Sequence, residues 1–351
     1  MDLNIISARD FIKKDLLIAF NSIHNFDIMC LLETFLDSSY PSNDQDLLID
    51  NYTIVRADHP LDLRRGGVCI YYKSCLPIRI HNVSNLDESL LFELSYDDKE
   101  LFFVTLYRSP SQTMDEFDLF LEKFENDLQN LLNKNPFLIT VLGDFNAKSS
   151  NWCSSDTTNY EGTQIDSLTS FFGLHQLISE PTHFLTHSNS CIDLIFTSQP
   201  NLVTHSGSYA SLHKNCHHNI VFVKYNLEIE YPPPYERLIW HYGKANLDMI
   251  KKAALQFNWE YAFRNMNVEQ KISFFNETIL NIFSNFCPSK KLVFNDTDPP
   301  WLTDEIKNMM IAKDNAFLRF QKSSKSDNEI KNFQNIIQQL NDCIDESKKK
   351  Y

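Results

Sequence analysis

A chain of 351 residues with 43% hydrophobic and 13% aromatic content can bury a large core, and its length suits one large domain with an appendage, or two domains. A formal net charge of −14 excludes generic adhesion to nucleic acid or to an anionic membrane surface, but not an enzyme that grips phosphate through a local patch and a divalent metal. Eight cysteines without a C-x-x-C pair, and a start without a basic-then-apolar leader, read as reduced thiols of an intracellular protein, and no apolar run approaches the roughly 20 residues of a membrane span.

After a short apolar start at residues 3–6, Phe11, Leu16, Leu17, Ala19, Phe20 and Ile23 recur at helical spacing. Residues 26–32 read as a buried strand that ends at Glu33. Residues 37–66 are polar and turn-rich. After an apolar run at 68–72, runs at 90–94 and 101–107 are separated by the Asp97-Asp98-Lys99-Glu100 turn, a short spacing that favours antiparallel pairing. Residues 114–132 form an amphipathic helix with Phe117, Phe120, Leu121, Phe124, Leu128 and Leu131 on one face.

Residues 138–142 are a second buried strand, running into Gly143-Asp144-Phe145-Asn146. An acid and an amide two residues apart at a strand's exit project to one side, where metal-assisted hydrolysis can be set up. A helix at 164–172, a strand at 191–197 containing Asp193, and a last strand at 219–225 introduced by Cys216-His217-His218 follow. The pattern predicts two mixed sheets packed face to face with helices outside. Pro232, Pro233 and Pro234 then form a stiff extended spacer. Beyond it, 247–257, 269–286, 302–320 and 328–347 read as helices, with no residue set of catalytic spacing.

Taken singly, Glu33 reads as a solvated acid, Asp193 as a partnered structural carboxylate and His218 as a satisfied histidine. His205, His213, His217 and His218 with Cys216 have the spacing of neither a zinc finger nor a metalloprotease helix. Lys73, Arg79, Lys148 and Lys214 read first as solvated charges and second as phosphate contacts. The functional reading comes from joint order: an acid after an early strand, Asp-x-Asn after a middle one, Asp in a late strand and His before the last.

Leu3-Asn4-Ile5, Leu32-Glu33-Thr34, Arg65-Gly66-Gly67-Val68, Tyr107-Arg108-Ser109-Pro110-Ser111, Gly143-Asp144-Phe145-Asn146-Ala147-Lys148, Pro181-Thr182-His183 and Cys191-Ile192-Asp193-Leu194-Ile195 occur in this order. The set resembles the endonuclease/exonuclease/phosphatase superfamily, and more closely the endonuclease of jockey-like non-LTR (LINE-type) retrotransposons. The likeness spans residues 1–228. Pro234-Tyr235-Glu236-Arg237-Leu238-Ile239-Trp240 and Asp298-Pro299-Pro300-Trp301-Leu302 look like the segment joining that nuclease to a reverse transcriptase.

The resemblance implies an α+β, four-layer α/β/β/α sandwich of deoxyribonuclease-I type at 1–228, a proline-containing linker with helices at 229–300, and at 301–351 a helical run-up to a reverse transcriptase that lies beyond a severed connection. The extension as a whole is expected to be all-α. It implies a metal-dependent DNA endonuclease that nicks a target site for retrotransposition, with Mg²⁺, or else Mn²⁺, as cofactor. DNA is the implied substrate, the reverse transcriptase domain a partner in cis, and the location intracellular, nuclear where the protein functions, with no membrane.

By the same resemblance Glu33 is the principal metal ligand with Asn4 beside it, and Asp144 orients or deprotonates the attacking water. Asn146 holds that water or a phosphate oxygen, Asp193 fixes and charges His218, His218 bonds the phosphate, and Tyr107 donates to a phosphate oxygen or aids the leaving group. One position departs from the pattern: His217 stands where an aspartate assists the metal region, and an imidazole suits Mn²⁺ or Zn²⁺ better than Mg²⁺. Two other readings are open: an inactive retrotransposon remnant acting as a nucleic-acid-binding or interaction module, and a phosphoesterase of small phosphates or lipids.

Overall fold

The computed structural model describes residues 3–9, 14–40, 46–59, 61, 65–81, 86–184, 189–212, 217–227, 236–240, 244–293, 299, 301–322 and 327–350; at 4–9, 236–240, 290–293, 321–322 and 327–328 the description is of backbone. The chain first lays down β1 (Leu3–Arg9), α1 (Lys14–His24), β2 (Ile28–Leu32), β3 (Tyr52–Ala57) and β4 (Val68–Lys73). A second set follows, β5 (Ile78–His81), β6 (Ser89–Tyr96), β7 (Lys99–Tyr107), α2 (Met114–Leu132) and β8 (Leu138–Asp144). Both sheets are completed by α3 (Tyr160–Phe171), β9 (His175–Gln176), the ribbon β10 (His183–Phe184) with β11 (Asn189–Ser190), β12 (Asp193–Thr197), β13 (Val203–Tyr209) and β14 (Ile220–Tyr225).

The two six-stranded sheets run β13-β14-β1-β2-β4-β3 and β5-β6-β7-β8-β12-β9. Each has one parallel pair at its centre, β1 with β2 and β7 with β8, and antiparallel neighbours on either side. A parallel pair needs a crossover, and α1 and α2 supply the two required. β2 shows why layers form. All of it is buried, with Ile28, Cys30 and Leu32 in the core between the sheets and Met29 and Leu31 in a second cluster under α1. Side chains alternate along a strand, so one that is apolar throughout needs cover on both faces.

α2 starts where Thr113 accepts from the Glu116 amide and Glu116 reaches back to the Thr113 amide, a reciprocal cap. Phe117, Phe120, Phe124, Leu128 and Leu131 are then buried, the face expected from the spacing.

Several strands escaped the pattern. β3 lies within the stretch expected to be turns, and like β5 and β13 it lies at a sheet edge. All six residues of β3 are half-buried. An edge strand is not enclosed on both sides, so its apolar signal is diluted. Lys73 fits neither reading offered for it: buried, it pairs with Asp27 at 2.8 Å. Lys214 lies outside the described residues. The described cysteines are free thiols, and burial pushes the Cys30 thiol up to about 12.

The chain divides into two compact units, 1–231 with 298–351, and 232–297. The second contains β15 (Glu236–Trp240), α4 (Leu247–Gln256), α5 (Trp259–Ala262), α6 (Val268–Phe286) and β16 (Ser289–Val293), with β15 and β16 antiparallel. This ribbon is an addition to the helices expected there, and the three prolines lie outside the described residues.

In the first unit α7 (Asp304–Lys322) and α8 (Asp327–Lys350) pack on α1. Ile306, Met310, Leu340 and Ile344 share one apolar cluster with Leu16, Leu17 and Phe20, and Lys348 pairs with Asp15 at 2.6 Å. Among the described residues no helix is long and apolar enough to cross a membrane.

Candidate active site

Register brings three of the singled-out residues into one row. Tyr107 on β7 pairs with Asp144 on β8, and Asp144 with Asp193 on β12. Residues level with one another on neighbouring strands share a face. Asp144 is fully buried, and its Oδ1 accepts from the Asn146 amide at 3.0 Å. The preceding residue has to be glycine. A Cβ on Gly143 would stand 1.9 Å from the carbonyl oxygen of Leu106, its partner on β7.

Asp193 faces His218, whose Nδ1 lies 3.1 Å from Oδ1 and 2.9 Å from Oδ2, both side chains being 4% exposed. A carboxylate against Nδ1 selects the tautomer with the proton on that nitrogen. Thr182 holds the pair from behind. Its Oγ1 accepts from the Ile192 and Asp193 amides at 3.2 and 3.1 Å, and its carbonyl accepts from the Asn219 amide at 2.7 Å. The ring of His183, next along, lies 4.4 Å from the His218 ring, tilted by 41°.

The turn after Asp144 is built around Arg108. The guanidinium, almost fully buried over the Phe117 ring, donates from Nε to the Phe145 carbonyl at 2.5 Å and from Nη2 to the Asn146 carbonyl at 2.7 Å. Burial draws its pKa down, with Glu161 and Asp144 opposing. Asn146 donates its side-chain amide back to the Arg108 carbonyl at 2.8 Å and sits at φ +46°. A left-handed conformation at a non-glycine residue persists only where the surroundings over-determine it. One lysine ammonium cannot span the carbonyls the fork reaches, so Arg108→Lys is expected to cost about 2 kcal/mol of stability; chemical denaturation measures it, and an unchanged midpoint would remove Arg108 from this role.

Glu33 also has a positive φ, +50°, and is 6% exposed. It follows β2 directly, its neighbours Thr34 and Phe35 donating to the carbonyls of Gly67 and Gly66. Glu33 and Tyr107 line one pocket together with His59, Arg65, Glu88 and Lys123. Burial holds the Glu88 carboxyl above its ordinary range although it accepts from the Gly67 amide at 2.6 Å.

Asn4 is not brought beside Glu33. It pairs with Lys224 near the start of β1, whereas Arg9 is level with Leu32, five residues or roughly 16 Å further along; the Asn4 side chain lies outside the described residues. His217 is exposed, and its carbonyl accepts from the Phe184 amide at 2.8 Å. Arg108 and Thr182 are structural keys that the spacing left without a role. A buried-type arginine directly after a strand, Tyr107-Arg108, was the available signal for the first.

Asp144, Asp193 and His218 each offer a ligand atom, all within 4.8 Å of one another. With Glu33 at the end of β2 in the other sheet, the donor chemistry of carboxylate oxygens suits a hard divalent cation.

Residues 101–221 match the model of a family described as endonuclease-reverse transcriptase. Among solved structures the chain is similar to the endonuclease domain of TRAS1, a telomere-specific non-LTR retrotransposon, with 17% identity, TM-score 0.53, and coverage of 65% of this chain and 100% of that one. It is also similar to the AP endonuclease LMAP from Leishmania major, with 14% identity, TM-score 0.54, and coverage of 64% and 87%. At such identities the likeness is one of fold. No curated protein matches the chain.

Proposed function

We propose that this chain, which has the deoxyribonuclease-I-like fold of the endonuclease/exonuclease/phosphatase superfamily and matches the endonuclease-reverse transcriptase family over residues 101–221, is a divalent-metal-dependent DNA endonuclease. The observation that carries the reading is the buried group Asp144, Asp193 and His218, gathered where β8 ends, β12 begins and the chain approaches β14. Phosphodiester hydrolysis needs a nucleophilic water, charge neutralisation at the phosphoryl oxygens and help for the leaving oxygen.

Glu33 and Asp144 would hold Mg²⁺, or Mn²⁺, which when bound supplies positive charge against the phosphoryl oxygens. Asp144 orients the attacking water and takes its proton, its own position set by the Asn146 amide and the Arg108 fork. Asp193 accepts from Nδ1 of His218 and its charge supports the imidazolium, whose Nε2–H then donates to a phosphate oxygen. Tyr107, level with Asp144, donates to the leaving side. The product is a nick with a 3′-hydroxyl, suited to priming a reverse transcriptase in cis, and the work lies in the nucleus. The retention of Glu33, Asp144, Asn146, Asp193 and His218 favours this reading over an inactive remnant.

Supercoiled plasmid incubated with the purified chain tests it. Open circles are expected with Mg²⁺ or Mn²⁺, none after chelation, and a loss of about 10³-fold in Asp144→Ala and His218→Ala. A wild type inert with both metals on supercoiled, nicked and abasic DNA, or variants as active as wild type, would overturn the proposal.

A further inference from the structure

β13 and β14 pair up to Tyr209 opposite Ile220, so Ala210 and Ser211 begin the connection that His217 and His218 finish. α7 reaches this connection directly through Lys313 and indirectly through Phe320. Lys313 is fully buried and donates from Nζ to the carbonyls of Ala210 at 3.2 Å and Ser211 at 3.4 Å, while pairing with Asp314 at 3.2 Å. Two turns further along, the Phe320 ring meets Phe184 at 6.5 Å between centroids, and the Phe184 amide is the donor to the His217 carbonyl. The helix carrying these contacts is itself anchored, with Asp314 3.2 Å from His24 Nε2 on α1 and the Lys313 ammonium 5.3 Å from the Phe20 ring centre.

A fully buried ammonium is expensive to desolvate, and an apolar side chain of the same length would fill the space at less cost. What the lysine adds is direction: an N–H donor aimed at two carbonyls of the segment that leads to the imidazole. We propose that Lys313 is a positioning residue for His218, acting with Phe320 to clamp the β13–β14 connection so that the imidazole stays against Asp193. The α7–α8 hairpin is then a working part of the nuclease and not a passive run toward a following domain. This rests on the hydrolytic reading above. Displacement of a catalytic group by about 1 Å can cost on the order of 10²-fold in rate, so a clamp at this range has something to protect.

The experiment uses the full chain, with Lys313→Met and Phe320→Leu, read by amide hydrogen exchange and by steady-state nicking of plasmid with Mg²⁺ or Mn²⁺. In Lys313→Met, exchange is expected to quicken over residues 205–225 and stay unchanged over 89–107 and 138–144, while kcat falls about tenfold and KM holds. Phe320→Leu is expected to give the same pattern at smaller amplitude, and it decides alone should Lys313→Met not fold. Unchanged exchange at 205–225 overturns the proposal, as does quickening across both sheets, which marks a merely structural lysine, or a kcat equal to wild type. A wild type inert on every DNA removes the nuclease reading, and the exchange pattern then still decides the clamp.

Discussion

Asp193→Asn is expected to keep the fold and lower the nicking rate by about 10³-fold. Both carboxylate oxygens of Asp193 lie within 3.1 Å of His218 Nδ1, and neither side chain reaches solvent to any extent. The amide keeps the shape of the site but removes the charge that supports an imidazolium beside a phosphate, and it presents a donor where Nδ1 requires an acceptor. His218 is then neutral or turned, and the phosphoryl oxygen loses a charge-assisted hydrogen bond. Plasmid nicking against thermal unfolding separates the two effects: a large rate loss at a nearly unchanged Tm is the expected pair. An Asp193→Asn variant that nicks at the wild-type rate would take His218 out of the chemistry.

Gly143→Ala is expected to cost about 3 kcal/mol or more, a fall in Tm of roughly 6–12 °C for a unit of this size. The added methyl group meets the Leu106 carbonyl at 1.9 Å, and the obstacle is backbone in a central strand that cannot swing aside. Relief requires β7 and β8 to separate at the point where the Arg108 amide donates to the Asp144 carbonyl at 2.9 Å. Activity should therefore fall further than stability alone explains, because the row Tyr107–Asp144–Asp193 depends on that pairing. A Tm within about 2 °C of wild type would show that the strands absorb the group and that the close approach is not a constraint.

The central strands were legible because their apolar runs are long enough to demand cover on both faces, as at Ile28–Leu32 and Leu138–Asp144. β13, Val203–Tyr209, was not, because a strand with Thr204, His205, Ser206 and Ser208 on a sheet edge carries no alternation to read. Lys73 misled for a different reason. A lysine looks solvated unless its partner is known, and Asp27 is 46 residues away in the chain.

The sequence by itself determined the central strands, the main helices and the order of the chemical groups at the strand ends: Glu33 after β2, Asp144 after Gly143 in β8, Asp193 at the start of β12, His218 before β14. These follow from local periodicity and from the steric demand of single residues, which neighbours in the chain express. Tertiary structure alone decided which groups meet. It placed Tyr107, Asp144 and Asp193 in one row, set Asn4 roughly 16 Å back from the level of Leu32, and brought Lys313 to the carbonyls of Ala210 and Ser211. Register and helix docking are properties of pairs of segments, and a shift of one residue in a strand reverses every face, so no reading along one segment can supply them.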